Sequence, residues 1–324
     1  MSRKPGPPAR SSAQARQGLV IRSTGSHVRV RTEDGASFES VIGGRLRLKG
    51  IETTHPVAVG DRVMVEPPAA GRPGVIVEVL PRTNYLLRKA ISQGRKAHIL
   101  AANLDQLVMV FSLELPATST GFANRLLAVA EAYDIPAVMV FNKTDLLHTP
   151  EQQAYLHELK GVYEAAGYPV LLVNALDPAC RAAVAAVLEG KISLLGGHSG
   201  AGKSALVNLV DPGLNLRTGE ISDYSLKGRH TTTYAELHDL SGGGAVIDAP
   251  GIKEFGLIDM APDDLGDYFP EIHRLRSACK YASCRHVNEP GCAVLAAVET
   301  GALHASRYDT YLRMLEEVQE DQGW

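Results

Sequence analysis

Residues 197–204, Gly-His-Ser-Gly-Ala-Gly-Lys-Ser, have the types and spacing that bind a phosphate chain. An apolar run at 192–195 precedes them and another at 205–209 follows, which predicts a strand and a helix on either side. Glycines allow several backbone N–H groups to point at one anion, and the helix N-terminus adds partial positive charge. This context predicts a phosphate-binding loop. Its residues are Gly197, His198, Ser199, Gly200, Ala201, Gly202, Lys203, Ser204 and Ala205.

Two side chains at the end of this loop have assigned roles. Lys203 is expected to reach the β- and γ-phosphates of a nucleotide, and the Ser204 hydroxyl is expected to bind Mg²⁺. The alternative is a glycine-rich turn without a ligand. Such a turn gives no packing reason for a lysine followed by a serine, so the ligand-binding interpretation is favoured.

A second motif identifies the base. Residues 142–145, Asn-Lys-Thr-Asp, follow an apolar run that is short enough for a buried parallel strand. The pattern N-K-x-D is the guanine-reading element of GTPases. Asp145 can accept hydrogen bonds from the ring N–H and the amine of guanine, whereas adenine has no amine on that edge. Asn142 is expected to hold the segment against the phosphate loop, and the stem of Lys143 to cover the base. Thr144 completes the motif, and an ordinary Asx-turn is the alternative.

Weaker elements complete the predicted site. Asn174 and Ala175 follow another apolar run and are expected to support the base through a backbone N–H. Asp248 and Gly251 form a D-x-x-G element, in which the aspartate would hold Mg²⁺ through water and the glycine N–H would contact the γ-phosphate. One threonine upstream is expected to complete the Mg²⁺ coordination. The candidates are Thr231, Thr232 and Thr233.

The position after the D-x-x-G element raises a question about the attacking water. Many small GTPases have a glutamine there that orients this water, but this chain has Ile252. We hypothesise that His230 takes the role, because a neutral imidazole can accept a hydrogen bond from water. The alternative is a loop histidine without a catalytic role.

The order of the motifs is unusual: the base reader comes first, followed by the phosphate loop, the threonines and D-x-x-G. GTPases ordinarily begin with the phosphate loop, so a circularly permuted GTPase domain is predicted. Apolar runs alternate with helical patterns, which predicts an α/β fold with a parallel sheet. A metabolic kinase with a phosphate loop is disfavoured by residues 142–145.

Three cysteines and a histidine lie close together near the end of the chain. Cys279, Cys284, His286 and Cys292 are spaced C-x4-C-x-H-x5-C and would complete a tetrahedral Zn²⁺ shell, which predicts one structural zinc. Free cysteines or a disulfide are the alternatives, and the absence of a secretory signal disfavours a disulfide. The remaining Cys180 is interpreted as a small buried side chain. Basic residues near the cluster could form a contact with RNA or protein. They are Arg274, Arg276, Lys280, Arg285 and Arg307.

Charge divides the chain unevenly. Residues 1–98 contain 17 Lys and Arg against 7 Asp and Glu, whereas the remainder is acidic. Basic and apolar residues alternate at 28–31 and 45–49, which predicts strands of a small barrel with a groove for a phosphate backbone. A solvated basic surface is the alternative. The predicted domains are a disordered basic tail at 1–17, an OB-fold barrel at 18–90, the permuted GTPase domain at 99–262 and a mainly helical zinc-binding domain with a terminal helix at 263–324.

Together these motifs resemble the RsgA (YjeQ) family of circularly permuted GTPases over about residues 18–315. The resemblance implies an enzyme that binds the small ribosomal subunit and its rRNA late in assembly. It also implies that the subunit stimulates slow hydrolysis of GTP to GDP. Two positions depart from the family pattern: Ala249 stands where threonine is frequent and Asn174 where serine is common.

The alternative function is an RNA-binding module whose guanine nucleotide is regulatory and barely hydrolysed. No run of eighteen apolar residues occurs and no signal peptide is recognised, so a cytoplasmic protein without a membrane partner is expected. No association stripe is visible, which predicts a monomer.

Overall fold

The structure is a computed structural model that describes residues 15–24, 27–43, 56–69, 71–89, 97–216, 235–249 and 260–322. The predicted strand at 45–49, most of the predicted tail, the candidate threonines, His230 and Gly251 lie outside these residues. Within the described part of the chain, no helix has the length and apolar character needed to cross a bilayer.

Five N-terminal strands close into a barrel. They are β1 (Arg16–Ser23), β2 (Val28–Thr32), β3 (Ser37–Ile42), β4 (Arg62–Glu66) and β5 (Gly74–Val79). Their order is β1-β2-β3-β5-β4, and β4 pairs back with β1. Alternate apolar side chains such as Val28 and Val30 fill the interior, because successive strand residues point to opposite faces. The predicted OB-fold barrel is confirmed.

The barrel begins earlier than predicted. Arg16 and Gln17 belong to β1 and pair with Val65 and Met64 of β4, so the last residues of the predicted tail form a strand. The reason is that barrel closure gives these two polar residues backbone partners, which composition alone does not reveal. A hairpin of β6 (Tyr85–Lys89) and β7 (Ala97–Ala102) follows the barrel.

A second group of strands forms the central sheet. They are β8 (Gln106–Phe111), β9 (Ala137–Phe141), β10 (Val170–Leu172), β11 (Ile192–Gly196), β12 (Ala235–Asp239) and β13 (Ala245–Asp248). The order is β10-β9-β8-β11-β13-β12, in which the first five strands are parallel and β12 is antiparallel. The carboxyl ends of the five parallel strands therefore meet at one edge, where ligands bind in such folds.

Helices cover both faces of this sheet. They are α1 (Thr120–Ala132), α2 (Pro150–Ala166), α3 (Arg181–Leu188) and α4 (Lys203–Val210). Along β8, Leu107 and Met109 belong to the core under α1 and α2, whereas Val108 and Val110 belong to the core under α3 and α4. Both faces of the strand are buried, which explains why its sequence is continuously apolar.

Three further helices follow: α5 (Pro270–Arg276), α6 (Ala293–Glu299) and α7 (Ala305–Gln322). The predicted terminal helix is α7, and its buried side chains Tyr311, Leu315 and Val318 join the core that also contains α1. The apolar face of α7 thus attaches the C-terminal region to the central domain.

The barrel and the central sheet are continuous. Strand β1 pairs antiparallel with β12, with Arg22 opposite Glu236 and Ser23 opposite Ala235. Nearby, the buried Asp61 carboxylate accepts two hydrogen bonds from Arg82, at 2.7 and 2.8 Å. A bidentate arginine–carboxylate pair has a strongly preferred geometry. It therefore fixes the segment that follows β5, which contains Arg82, against Asp61 directly before β4.

Candidate functional site

The predicted phosphate loop connects β11 to α4. Two of its glycines occupy positions closed to other residues. Gly202 has a φ of 98°, and a Cβ there would lie 2.1 Å from the Asn142 side-chain nitrogen. Gly197 has a φ of 142°, and a Cβ there would lie 2.5 Å from the Val110 carbonyl oxygen. Both positions therefore require glycine, because φ is positive and because the Asn142 side chain or the Val110 backbone leaves no room for a Cβ.

The Lys203 side chain is buried and turns back over the loop. Its ammonium group donates hydrogen bonds to the carbonyl oxygens of Gly197, at 3.0 Å, and His198, at 2.9 Å. Ser204 is also buried, in the first turn of α4. The structure therefore places a cation, a hydroxyl group and a helix N-terminus around one short loop, which suits a phosphate chain with a divalent cation.

Asn142 ties the base-reading segment to the phosphate loop. Its side-chain amide donates to the Ala201 carbonyl oxygen at 2.9 Å, and its carbonyl oxygen accepts from the Ala175 N–H at 3.0 Å. Asn142 is 3% exposed, so these hydrogen bonds form in a dry environment. The Ala175 N–H, which is predicted to support the base, donates to Asn142 in this structure.

The other residues of the base reader lie near the surface. Lys143 has a φ of 62°, and its ammonium group donates to the carbonyl oxygen of Leu115. The Thr144 hydroxyl donates to the Val173 carbonyl oxygen at 3.1 Å. Asp145 is exposed, in the short 3-10 helix Thr144–Leu146, where its carboxylate is available to a ligand.

Asp248 is the last residue of β13, directly beside β11. Burial raises the pKa of Asp248 to about 6, and the nearby Lys203 ammonium acts in the opposite direction. Both charged groups lie at the same edge of the sheet, because Asp248 ends β13 and Lys203 begins the helix that follows β11. Ala249, which follows, is buried.

The four predicted metal ligands converge. The ligand atoms of Cys279, Cys284, His286 and Cys292 all lie within 4.8 Å of one another. The His286 Nδ1 atom lies 3.6 Å from the Cys279 sulfur and 3.4 Å from the Cys292 sulfur, and these two sulfurs are 4.0 Å apart. Ligands bound tetrahedrally at about 2.3 Å are separated by about 3.8 Å, so the cluster could hold a metal ion.

Two tyrosines of α7 hold the loop that contains His286. The Tyr308 hydroxyl donates to the His286 carbonyl oxygen at 2.7 Å, and the Tyr311 hydroxyl donates to the Arg285 carbonyl oxygen at 2.5 Å. The Tyr311 side chain also belongs to the buried core. The hydrogen bond of the Tyr311 hydroxyl was not predictable from the sequence, because it depends on which loop packs against α7.

Cys180, the fourth cysteine, lies outside the cluster. It is half-buried in a separate 3-10 helix, Pro178–Cys180.

The basic residues near the cluster are largely engaged within the protein. Arg307 is buried and forms two hydrogen bonds with the Glu271 carboxylate, so its predicted role in a surface contact is wrong. The other arginines also have intramolecular partners: Arg276 pairs with Asp267, Arg285 with Asp263, and Arg274 donates to the carbonyl oxygens of Ala165 and Ala166. The physical reason is that the fold brings carboxylate groups, and the carbonyl oxygens at the end of α2, against these side chains.

Comparison with known proteins agrees with this geometry. The family model described as RsgA GTPase matches residues 79–258. The chain is 48% identical over 304 residues to the small ribosomal subunit biogenesis GTPase RsgA 2 of Bacteroides thetaiotaomicron, covering 94% of this chain and 97% of the relative.

Two crystal structures have the same architecture. The structure of YjeQ from Thermotoga maritima matches with a TM-score of 0.74 and 34% identity, covering 94% of this chain and 98% of that one. The structure of YloQ, described as a circularly permuted GTPase, matches with a TM-score of 0.71 and 28% identity, covering 97% and 99%. These matches confirm the permuted order of the motifs. The chain therefore belongs to the RsgA GTPase family, and its reaction is the hydrolysis of GTP.

Proposed function

We propose that this GTPase binds the small ribosomal subunit and couples GTP hydrolysis to late maturation of the subunit and to its own release. The names of the full-length relatives support the partner. The observation that carries the enzymatic part is the hydrogen bond from the Asn142 side-chain amide to the Ala201 carbonyl oxygen, which joins the base reader to the phosphate loop although the two residues are 59 apart in sequence. A site assembled in this way can bind both ends of one nucleotide.

In the proposed site, different residues bind the base, the phosphates and Mg²⁺. Asp145 reads guanine, and the Lys143 stem covers the base. Lys203 contacts the β- and γ-phosphates, and the N–H of Gly251 contacts the γ-phosphate. Ser204 and Asp248 hold Mg²⁺, together with one of the threonines at 231–233. Bound Mg²⁺ would stabilise the charge that develops on the phosphate oxygens.

The Cys/His cluster is proposed to bind one structural zinc ion. Three thiolates and one imidazole form a closed tetrahedral set with no position for a substrate, so its contribution is to folding. The converging distances described above fit this ligand set. The expectation of a cytoplasmic monomer belongs to this proposal as well.

The barrel is proposed to contact rRNA, although part of its basic face is committed elsewhere. Arg29 pairs with Glu39 at 2.9 Å, and Arg31 pairs with Asp239 of β12. Arg62 is exposed on β4. Exposed arginines can replace the counterions of a phosphate backbone, so this binding is expected to weaken with added salt.

Small subunits are expected to accelerate GTP hydrolysis by this chain on the order of a thousandfold, as activating partners do for other GTPases. The measurement is the phosphate release rate with and without purified small subunits. Large subunits serve as the control, and Lys203→Ala should abolish the activity in both cases. An unchanged rate would favour the alternative, an RNA-binding module with a slowly hydrolysed nucleotide.

His230→Ala is expected to lower the subunit-stimulated rate of the chemical step about a hundredfold or more, because removing a group that orients water typically has an effect of this size. Single-turnover hydrolysis with excess subunits isolates that step. His238→Ala on β12 provides a matched control. A wild-type rate in the His230 variant would exclude the proposed role.

A further inference from the structure

A short segment between β8 and α1 lies beside both halves of the nucleotide site. We name residues 112–119 the brace loop. The Ser112 hydroxyl donates to the Glu114 carbonyl oxygen at 2.5 Å, and the Thr118 N–H donates to the Ser112 carbonyl oxygen at 2.7 Å. Ser112 and Thr118 are both buried, so the base of the loop is anchored. Its tip, Leu115, is 73% exposed.

The brace loop contacts the base-reading side at two points. The carbonyl oxygen of Leu115 accepts a hydrogen bond from the Lys143 ammonium group. The Glu114 carboxylate accepts one from the Gln152 side-chain amide at 2.9 Å. Gln152 also caps the start of α2, where its side-chain oxygen accepts from the Thr149 N–H at 3.1 Å. Since α2 begins shortly after the base reader, Glu114 is attached to the element that follows the base reader in the chain.

The same segment approaches the phosphate loop. A Cβ on Gly200 would lie 2.9 Å from the Pro116 Cδ atom, so the Gly200 backbone is in close contact with the Pro116 ring. Just beyond the brace loop, the Phe122 ring in the first turn of α1 lies 4.3 Å from the His198 ring. The segment therefore spans the distance between the phosphate-binding and base-binding elements.

We propose that the brace loop is a third wall of the nucleotide site and that Glu114 is a positioning residue for Lys143. This inference rests on the proposed site. A lysine side chain loses rotamer freedom when its stem is fixed over a base. The Leu115 carbonyl restricts the Lys143 ammonium before the nucleotide binds, and the Glu114–Gln152 hydrogen bond holds that carbonyl in place. Such preorganisation increases affinity without adding a contact to the ligand.

In this proposal, the brace loop affects the affinity for a nucleotide but not the selectivity for its base. Selectivity depends on Asp145, which lies in the 3-10 helix Thr144–Leu146 and reads the edge of the ring. The brace loop acts instead on Lys143, whose stem covers the face of the ring. Every purine has a similar face. Loosening the loop should therefore lower the affinities for GDP and for inosine diphosphate by the same factor.

The test is Glu114→Ala, with dissociation rates measured by stopped flow for GDP and inosine diphosphate. Both nucleotides are expected to leave about three- to tenfold faster, which is less than the direct loss of a hydrogen bond to a charged group because the change reaches the nucleotide only through Lys143. Glu114→Gln retains an acceptor for Gln152 and should restore the rate to within about twofold of the wild type. Glu164→Ala is the matched control, since Glu164 lies on α2 and forms an exposed ion pair with Lys160.

Three results would overturn the inference: wild-type release from Glu114→Ala, a changed ratio of the two nucleotides, or no rescue by Glu114→Gln. Thermal unfolding of the nucleotide-free variants establishes that the fold is retained. A wild-type chain that binds GDP no better than ADP would refute the proposed site itself and the brace with it. A wild type that prefers GDP, with an unaffected Glu114→Ala variant, would refute the brace alone.

Discussion

Asp145→Asn is expected to lower the affinity for GDP on the order of a thousandfold, because guanine then faces an amide that cannot accept both of its hydrogen bonds. The same variant should gain affinity for xanthosine diphosphate. Xanthine has a carbonyl group where guanine has an amine, and the asparagine amide can donate to that carbonyl. Asp145 is exposed on a short 3-10 helix, so the substitution is not expected to disturb the fold.

Isothermal titration calorimetry with GDP, ADP and xanthosine diphosphate, in the presence of Mg²⁺, measures both effects. Asp309→Asn makes the same chemical change at an exposed position on α7 and should retain wild-type affinities. Equal affinity of the wild-type chain for GDP and ADP would contradict the guanine site. Unchanged GDP binding by the Asp145 variant would assign base recognition to another residue.

Loss of metal from the Cys/His cluster is expected to unfold the loop that contains it. Residues 277–292, all of which the structure describes, include neither a helix nor a strand. Their order depends on the four converging ligands and on hydrogen bonds from Tyr308 and Tyr311. Zinc bound in such a site contributes about 10 kcal/mol or more to small folding units. Cys284→Ser should therefore lower the Tm by about 10 °C, a change of several kcal/mol.

Zinc content and thermal unfolding, measured on the same preparations, check this prediction. The wild type should contain one zinc ion per chain, and Cys284→Ser should contain almost none. Cys180→Ser is the matched control, because Cys180 lies outside the cluster. A wild-type chain without zinc, or a Cys284 variant with an unchanged Tm, would show that the cluster is held by packing alone.

The barrel and the C-terminal helices are both attached directly to the central sheet and its helices. The pairing of β1 with β12 makes the barrel part of the same sheet as the nucleotide site, and β12 leads directly into β13 and Asp248. At the other end of the chain, α7 contacts α1: the Asn124 side chain donates to the Ser306 carbonyl oxygen at 2.9 Å and to the Thr310 hydroxyl at 3.1 Å. Both outer regions are therefore attached to elements of the catalytic domain.

The predictions made from local motifs agree well with the structure. The phosphate loop lies between a strand and a helix, and the Cys/His residues converge, since the chemistry of each depends on a few neighbouring residues. The barrel was also predictable, because alternation of apolar and polar residues identifies strands without knowledge of their partners. The roles of His230 and of the threonines at 231–233 remain predictions.

The sequence by itself determined which ligand chemistry is predicted: a lysine and serine after glycines for phosphate, an aspartate after N-K-T for guanine, and three cysteines with a histidine for a metal. Only the tertiary structure decided which side chains are committed to one another. It buried Arg307 against Glu271, paired Arg31 with Asp239 and brought the brace loop between the two halves of the site. The physical reason is that a motif acts through adjacent residues, whereas an ion pair or a strand pairing forms only between surfaces that the whole fold brings together.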